Sequence, residues 1–126
     1  MQIRWMAVLN GFIVDLMVTT ISLLVFYPRA FSSTDPTIAD DPIVIGLGLL
    51  CTAIGGYVAG RLAGIQRWLN GFMVGVVGIL SVQIQLLASA NATLTRTQVF
   101  ALALGCVAGA LGGWLSNLPK RPADLL

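Results

Sequence analysis

Four long apolar runs separated by short polar stretches set the pattern of the chain. The first covers residues 5–27 and stops before Pro28. The second covers 43–60, between Pro42 and Arg61. The third covers 68–90, and the fourth covers 98–118, where Pro119 ends it. An α-helix needs about 20 apolar residues to cross a hydrocarbon core of about 30 Å. The runs lack the alternation of strands, and lipid cannot satisfy open backbone groups, so helices are the remaining option. The pattern predicts an all-α, polytopic membrane protein: one domain over 1–126 with four transmembrane helices. The first run starts after Arg4, as a signal peptide does. It is too long for one, contains Asp15 and has no clear small-x-small cleavage site after it, so a retained span is expected.

Composition agrees and narrows the chemistry. Only 10% of the 126 residues are charged and 57% are hydrophobic, whereas a soluble domain carries about 25% charged residues. There is no His and no Glu, which excludes a His-based metal site, a Ser-His-Asp triad and a His-ligated haem within the chain. Cys51 and Cys106 lie far apart in apolar runs and read as buried free thiols. The net charge of +2 is too small to suggest nucleic acid. The longest connection, 29–41, is too short for a soluble catalytic module. A non-enzymatic protein is expected, with no cofactor, with bound lipid, and with the bilayer as its main partner.

Charge sets the expected orientation. Arg4, Arg61, Arg67, Lys120 and Arg121 fall on one side, against Arg29 and Arg96 on the other. Cytoplasmic segments carry the Lys/Arg excess, so both termini are expected in the cytoplasm. Trp5, Trp68 and Trp114 would then all lie at the cytoplasmic interface, where indole rings settle.

The chain also echoes itself. Leu9-Asn10-Gly11-Phe12-x-Val14 returns as Leu69-Asn70-Gly71-Phe72-x-Val74, an offset of 60 (69 − 9). Gly55-Gly56-Tyr57 returns as Gly112-Gly113-Trp114, an offset of 57 (112 − 55). Two helical hairpins, about 4–60 and 67–117, are therefore expected as parallel repeats. Two spans per repeat preserve orientation and place the symmetry axis along the membrane normal.

Rows of small residues run along three of the spans: Gly48, Thr52, Gly56 and Gly60; Gly71, Gly75 and Gly78; Ala101, Gly105, Gly109 and Gly113. Lipid is as apolar as Leu, so helices in a membrane associate through the close backbone approach that small residues permit. Gly48, Gly56, Gly60, Gly71, Gly75, Gly105, Gly109 and Gly113 are accordingly expected to form tight Gly/Ala helix-packing faces, with surface to spare for partner subunits.

Asp15 is the one acid within a span. It lies eleven residues after Arg4, about 16 Å along the helix axis and near the bilayer centre. An intramembrane carboxyl is costly and is a functional hypothesis by default. Asn10, Thr19 and Asn70 are grouped with it as a possible intramembrane polar site, and Thr52 stands on the second span. Asp15 is read in three ways: hydrogen-bonded inside the bundle or paired with a partner subunit, binding a proton or cation, or standing near a water-filled rim. The second repeat carries Gly75 in its place.

The run Gly55-Gly56-Tyr57-Val58-Ala59-Gly60-Arg61-Leu62-Ala63, with Trp68-Leu69-Asn70-Gly71 and Gly112-Gly113-Trp114-Leu115-Ser116-Asn117, resembles the YrzE-like family of small bacterial four-helix membrane proteins. The resemblance covers about the last 75 residues, leaves Asp15 outside, and implies the four-span fold and a bacterial plasma membrane but no activity. The leading functional expectation is an accessory or assembly subunit packing against other membrane proteins. The alternative is a small homo-oligomeric proton- or cation-coupled transporter or channel working through Asp15.

Overall fold

In a computed structural model, which describes residues 1–88 and 93–119, the apolar runs form α1 (Trp5–Phe26), α3 (Pro42–Ala63), α4 (Arg67–Ala88) and α5 (Arg96–Leu115). A single turn, α2 (Arg29–Ser32), and a 3-10 segment (Pro36–Asp40) occupy the first connection. The four main helices are 20–22 residues long, which corresponds to about 30–33 Å. All four are long and apolar enough to cross a membrane.

Local chemistry moves the ends away from the limits of the apolar runs. Asp41 caps α3 by accepting from the Ile43 N–H, and Pro42 fits the first turn because its missing N–H has no partner there. At its other end α3 continues past Arg61 to Ala63. Gly64 stops it in the left-handed region at φ 73°, where a glycine meets no Cβ penalty. α5 begins two residues before the expected 98, because Thr95 and Gln98 form a capping box. It ends at Leu115, and Ser116 and Asn117 form a turn where the sequence suggested helix to 118. The expected end of the third span at residue 90 lies outside the described residues, as do Lys120 and Arg121.

α3 is the centre of the bundle and packs on α1, α4 and α5, whereas α1 touches α4 only lightly. The two ends of the bundle differ. At the end carrying the N-terminus and the α3–α4 turn, termed here the terminal end, backbones cross in close contact. A Cβ at Gly56 would lie 2.8 Å from the Gly109 Cα, and one at Gly60 would lie 3.0 Å from the Gly113 Cα. A Cβ at Gly71 would collide with the Gly109 carbonyl oxygen and one at Gly112 with the Ala53 carbonyl oxygen. Val8, Ala59 and Val74 are fully buried beside these crossings, with Phe12 and Met73 against them. Outward positions carry large apolar side chains such as Met17, Leu50, Leu80, Phe100 and Leu111, a surface suited to lipid.

The contacts pair Gly11 with Gly55 and Ala59 in one hairpin, and Gly71 with Gly109 and Gly113 in the other. On the second helix of each hairpin these partners are offset by 54 (109 − 55), whereas the Gly-Gly-aromatic echo is offset by 57. The matching glycines therefore stand about one turn apart in contact register.

Candidate functional site

At the opposite end, termed here the loop end, the helices enclose a partly open cavity of about 550 Å³. All four long helices line it: α1 from Phe12 to Thr19, α3 from Val44 to Thr52, α4 from Gly75 to Val82, and α5 with residues up to Gly105. Its walls are mainly apolar, with Leu16, Ile45, Leu49, Ile79 and Leu102 among them. Asp15 is the one ionisable side chain among the described lining residues.

Asp15 is 8% exposed, and both its oxygens have partners. The Thr19 hydroxyl lies 3.2 Å from Oδ1, and the Thr52 hydroxyl, from α3, lies 3.2 Å from Oδ2. Thr52 Oγ1 also lies 3.0 Å from the Gly48 carbonyl oxygen, one turn earlier on its own helix. The approach of α1 to α3 here depends on Gly55: a Cβ on it would lie 2.8 Å from the Asp15 Cβ and 2.6 Å from the Gly11 carbonyl oxygen. Absence of a side chain at residue 55 thus sets Asp15 against α3 within reach of Thr52.

The residues grouped with Asp15 from the sequence separate. Thr19 is four residues on, on the same helix face, and meets it. Asn10 does not. It is five residues back, about 140° around the helix, and is exposed on another face. Asn70 is fully buried but belongs to the terminal end. Its Oδ1 accepts from the Arg4 N–H at 2.9 Å, and its Nδ2 donates to the Ile65 and Gln66 carbonyl oxygens, each at 3.1 Å. Those bonds fasten the start of α1 to the α3–α4 turn. Arg67 closes the same end, with Nε donating to the Gly64 carbonyl oxygen at 3.3 Å and Nη1 to that of Ser116.

The small-residue positions divide as well. Gly56, Gly60, Gly71, Gly109 and Gly113 lie in helix crossings, and Gly75 lies against Cys106. Gly48 and Gly105 do not sit in such contacts: a Cβ on either meets nothing within 4 Å, and both line the cavity. The helices diverge towards the loop end, so the same row packs at one end and leaves space at the other.

Two bonds at the rim of the loop end carry no signal in the apolar pattern. The Tyr27 hydroxyl donates to Asp41 Oδ2 at 2.7 Å, joining the end of α1 to the start of α3. The Thr95 hydroxyl donates to Asp40 Oδ1 at 2.9 Å, joining the 3-10 segment to α5. The spacing Thr95-x-x-Gln98 was the available signal for the second, since it marks a helix start. The Tyr27 bond holds the Asp41 carboxyl below the usual carboxylate range, and the Ile43 N–H adds to this.

The family model described as "Protein of unknown function (DUF3792)" matches residues 4–116. The chain belongs to this family. No curated protein and no solved structure matches the chain. The DUF3792 match takes in the first span and Asp15, which the resemblance read from Gly55 to Asn117 left aside. It also takes in every described residue of the cavity and of the glycine crossings.

Proposed function

We propose that this DUF3792 protein is a small, non-enzymatic carrier or channel of the plasma membrane that takes a proton or a monovalent cation at Asp15. One observation carries the reading: a carboxyl with a hydroxyl at each oxygen is the one charged group among the described residues of a cavity formed by all four long helices. An acid that served only to join two helices would need no such space beside it. Cavities of this size are typical of small-molecule sites. The Lys/Arg bias supports cytoplasmic termini; in that orientation the cavity faces outward and the glycine-packed end separates it from the cell interior.

The reading as an accessory subunit depended on small-residue faces left over for partners. Gly55, Gly56, Gly60, Gly71, Gly109, Gly112 and Gly113 meet other helices of the same chain, while Gly48, Gly78 and Gly105 line the cavity. The carrier or channel reading therefore has the better support. The site is formed within one chain, so it does not require a homo-oligomer.

The test is flux in proteoliposomes. Wild-type and Asp15→Asn protein are compared for uptake of Na+, K+ and a primary alkylammonium under an imposed pH gradient. Gradient-dependent uptake of a cation by wild type, lost in an Asp15→Asn protein of unchanged thermal stability, is expected. No uptake of any of these cations together with no faster decay of the pH gradient than in empty vesicles, or equal behaviour of both proteins, overturns the proposal.

A further inference from the structure

We infer that the ligand of the Asp15 cavity is a small organic ammonium ion with an apolar body, taken up in exchange for the proton of Asp15. The inference rests on the cation reading above and names the cation.

Charge is the first ground. From α1, only Asp15 is ionisable. The described cavity residues of α3 include Gly48 and Thr52, those of α4 Gly75, Gly78 and Ser81, and those of α5 Gln98 and Gly105. None of the described lining residues on these three helices is a Lys, an Arg or a second acid. Cys106 lies against Gly75. An isolated charge in such surroundings is costly, so the site favours zero net charge. A protonated carboxyl meets that condition, as does a carboxylate with one monovalent cation; a divalent ion leaves an excess of one.

Coordination is the second ground. Hard metal ions are held by six or more oxygens. Around Asp15 the side-chain oxygens are its own two and those of Thr19 and Thr52. The walls beyond them are mainly Phe12, Leu16, Leu49, Ile79 and similar side chains. These surfaces suit a hydrocarbon body, and a primary ammonium needs only the carboxylate and a few further acceptors.

The Thr52 hydroxyl makes the exchange possible without leaving a polar group unpaired. It has one proton and two acceptors in reach, Asp15 Oδ2 at 3.2 Å and the Gly48 carbonyl oxygen at 3.0 Å. With Asp15 ionised, Thr52 donates to the carboxylate. With Asp15 protonated, the carboxyl O–H donates to Thr52 Oγ1 and the Thr52 proton turns to Gly48. When the ammonium enters, the Asp15 proton leaves to solvent through the loop end and the ammonium N–H groups take its place. One positive charge leaves for each that arrives.

The experiment uses the purified full chain in detergent with 2-phenylethylammonium as probe, followed by calorimetry and by proton release into weak buffer. Sodium, potassium and neutral 2-phenylethanol are the comparison ligands. Saturable binding of the ammonium is expected, with one proton released per ion bound in the pH range where Asp15 is protonated. Affinity should then fall about tenfold per pH unit on acidification. Asp15→Asn should abolish binding and release together. Thr52→Val should shift the pH dependence while the protein stays folded; an unshifted profile overturns the assignment of Thr52. Asp15-dependent binding of sodium or potassium but not of the ammonium overturns the ligand class and leaves the cation reading standing. Equal binding of 2-phenylethanol and the ammonium, unchanged in Asp15→Asn, overturns both, as does no cation binding at all.

Discussion

Gly55 makes room for Asp15: a methyl group on Gly55 would lie 2.8 Å from the Asp15 Cβ. The same glycine faces the Gly11 carbonyl oxygen, where the added carbon would be at 2.6 Å. This approach of α1 to α3 therefore depends on two missing side chains, at Gly55 and at Gly11, whose added Cβ would lie 2.6 Å from the Gly55 carbonyl oxygen, and the first of them also places Asp15.

Gly55→Ala should lower stability by about 1–3 kcal/mol, the usual range for forcing an extra carbon into a packed contact. Gly48→Ala should leave stability unchanged or raise it by up to about 1 kcal/mol, because its Cβ would enter open space and alanine is the better helix former. Thermal unfolding in a mild detergent compares the two. Equal effects at both positions would show that the division between packed and cavity-lining glycines is wrong.

Asn70→Ala should cost about 1–3 kcal/mol, the usual range for leaving a buried polar partner unpaired, since the Arg4 N–H and the Ile65 carbonyl lose their bonds to the side chain. Asn70→Asp keeps the acceptor for Arg4 but turns a carboxylate oxygen towards the Ile65 and Gln66 carbonyl oxygens, and should cost at least as much. Neither change should alter carbodiimide labelling of Asp15, which belongs to a separate part of the bundle. A change in that labelling would link the two ends.

The Tyr27–Asp41 bond should make the loop end acid-sensitive. Asp41 in the folded chain titrates below its ordinary range, with the Tyr27 hydroxyl as the first cause. A depressed carboxyl stabilises the fold above the ordinary carboxylate range, and that contribution is lost as pH falls through the folded value. Tyr27→Phe should therefore lose less stability than wild type on acidification through and below that range. Melting curves across the acid limb for both proteins check this, and parallel loss in the two would contradict it. Asp35, held down by Thr37, is present in both proteins and cancels in the comparison.

Orientation is tested by labelling single cysteines in a background lacking Cys51 and Cys106. Asp35→Cys should react with an impermeant maleimide added outside intact cells. Lys120→Cys should react only after the membrane is opened. The reverse pattern would invert the direction in which the cavity faces.

The number of helices long and apolar enough to cross a membrane, and most of their limits, follow from the sequence, because hydrophobic length and capping are local. Pro28, Asp41-Pro42, Gly64 and the Thr95–Gln98 pair each act within a turn of the end they set. The position of Asp15 midway along α1 and its pairing with Thr19 are local too, since a four-residue step stays on one helix face. The same periodicity separates Asn10 from Asp15. Tertiary structure alone decided that Thr52 reaches Asp15 while Asn70 fastens the opposite end. It also decided that Gly56 packs while Gly48, in the same row, lines a cavity. Helical spacing states which residues share a face, but not which helix that face meets, at what height two helices cross, or where they diverge. Those depend on close contacts among all the helices at once.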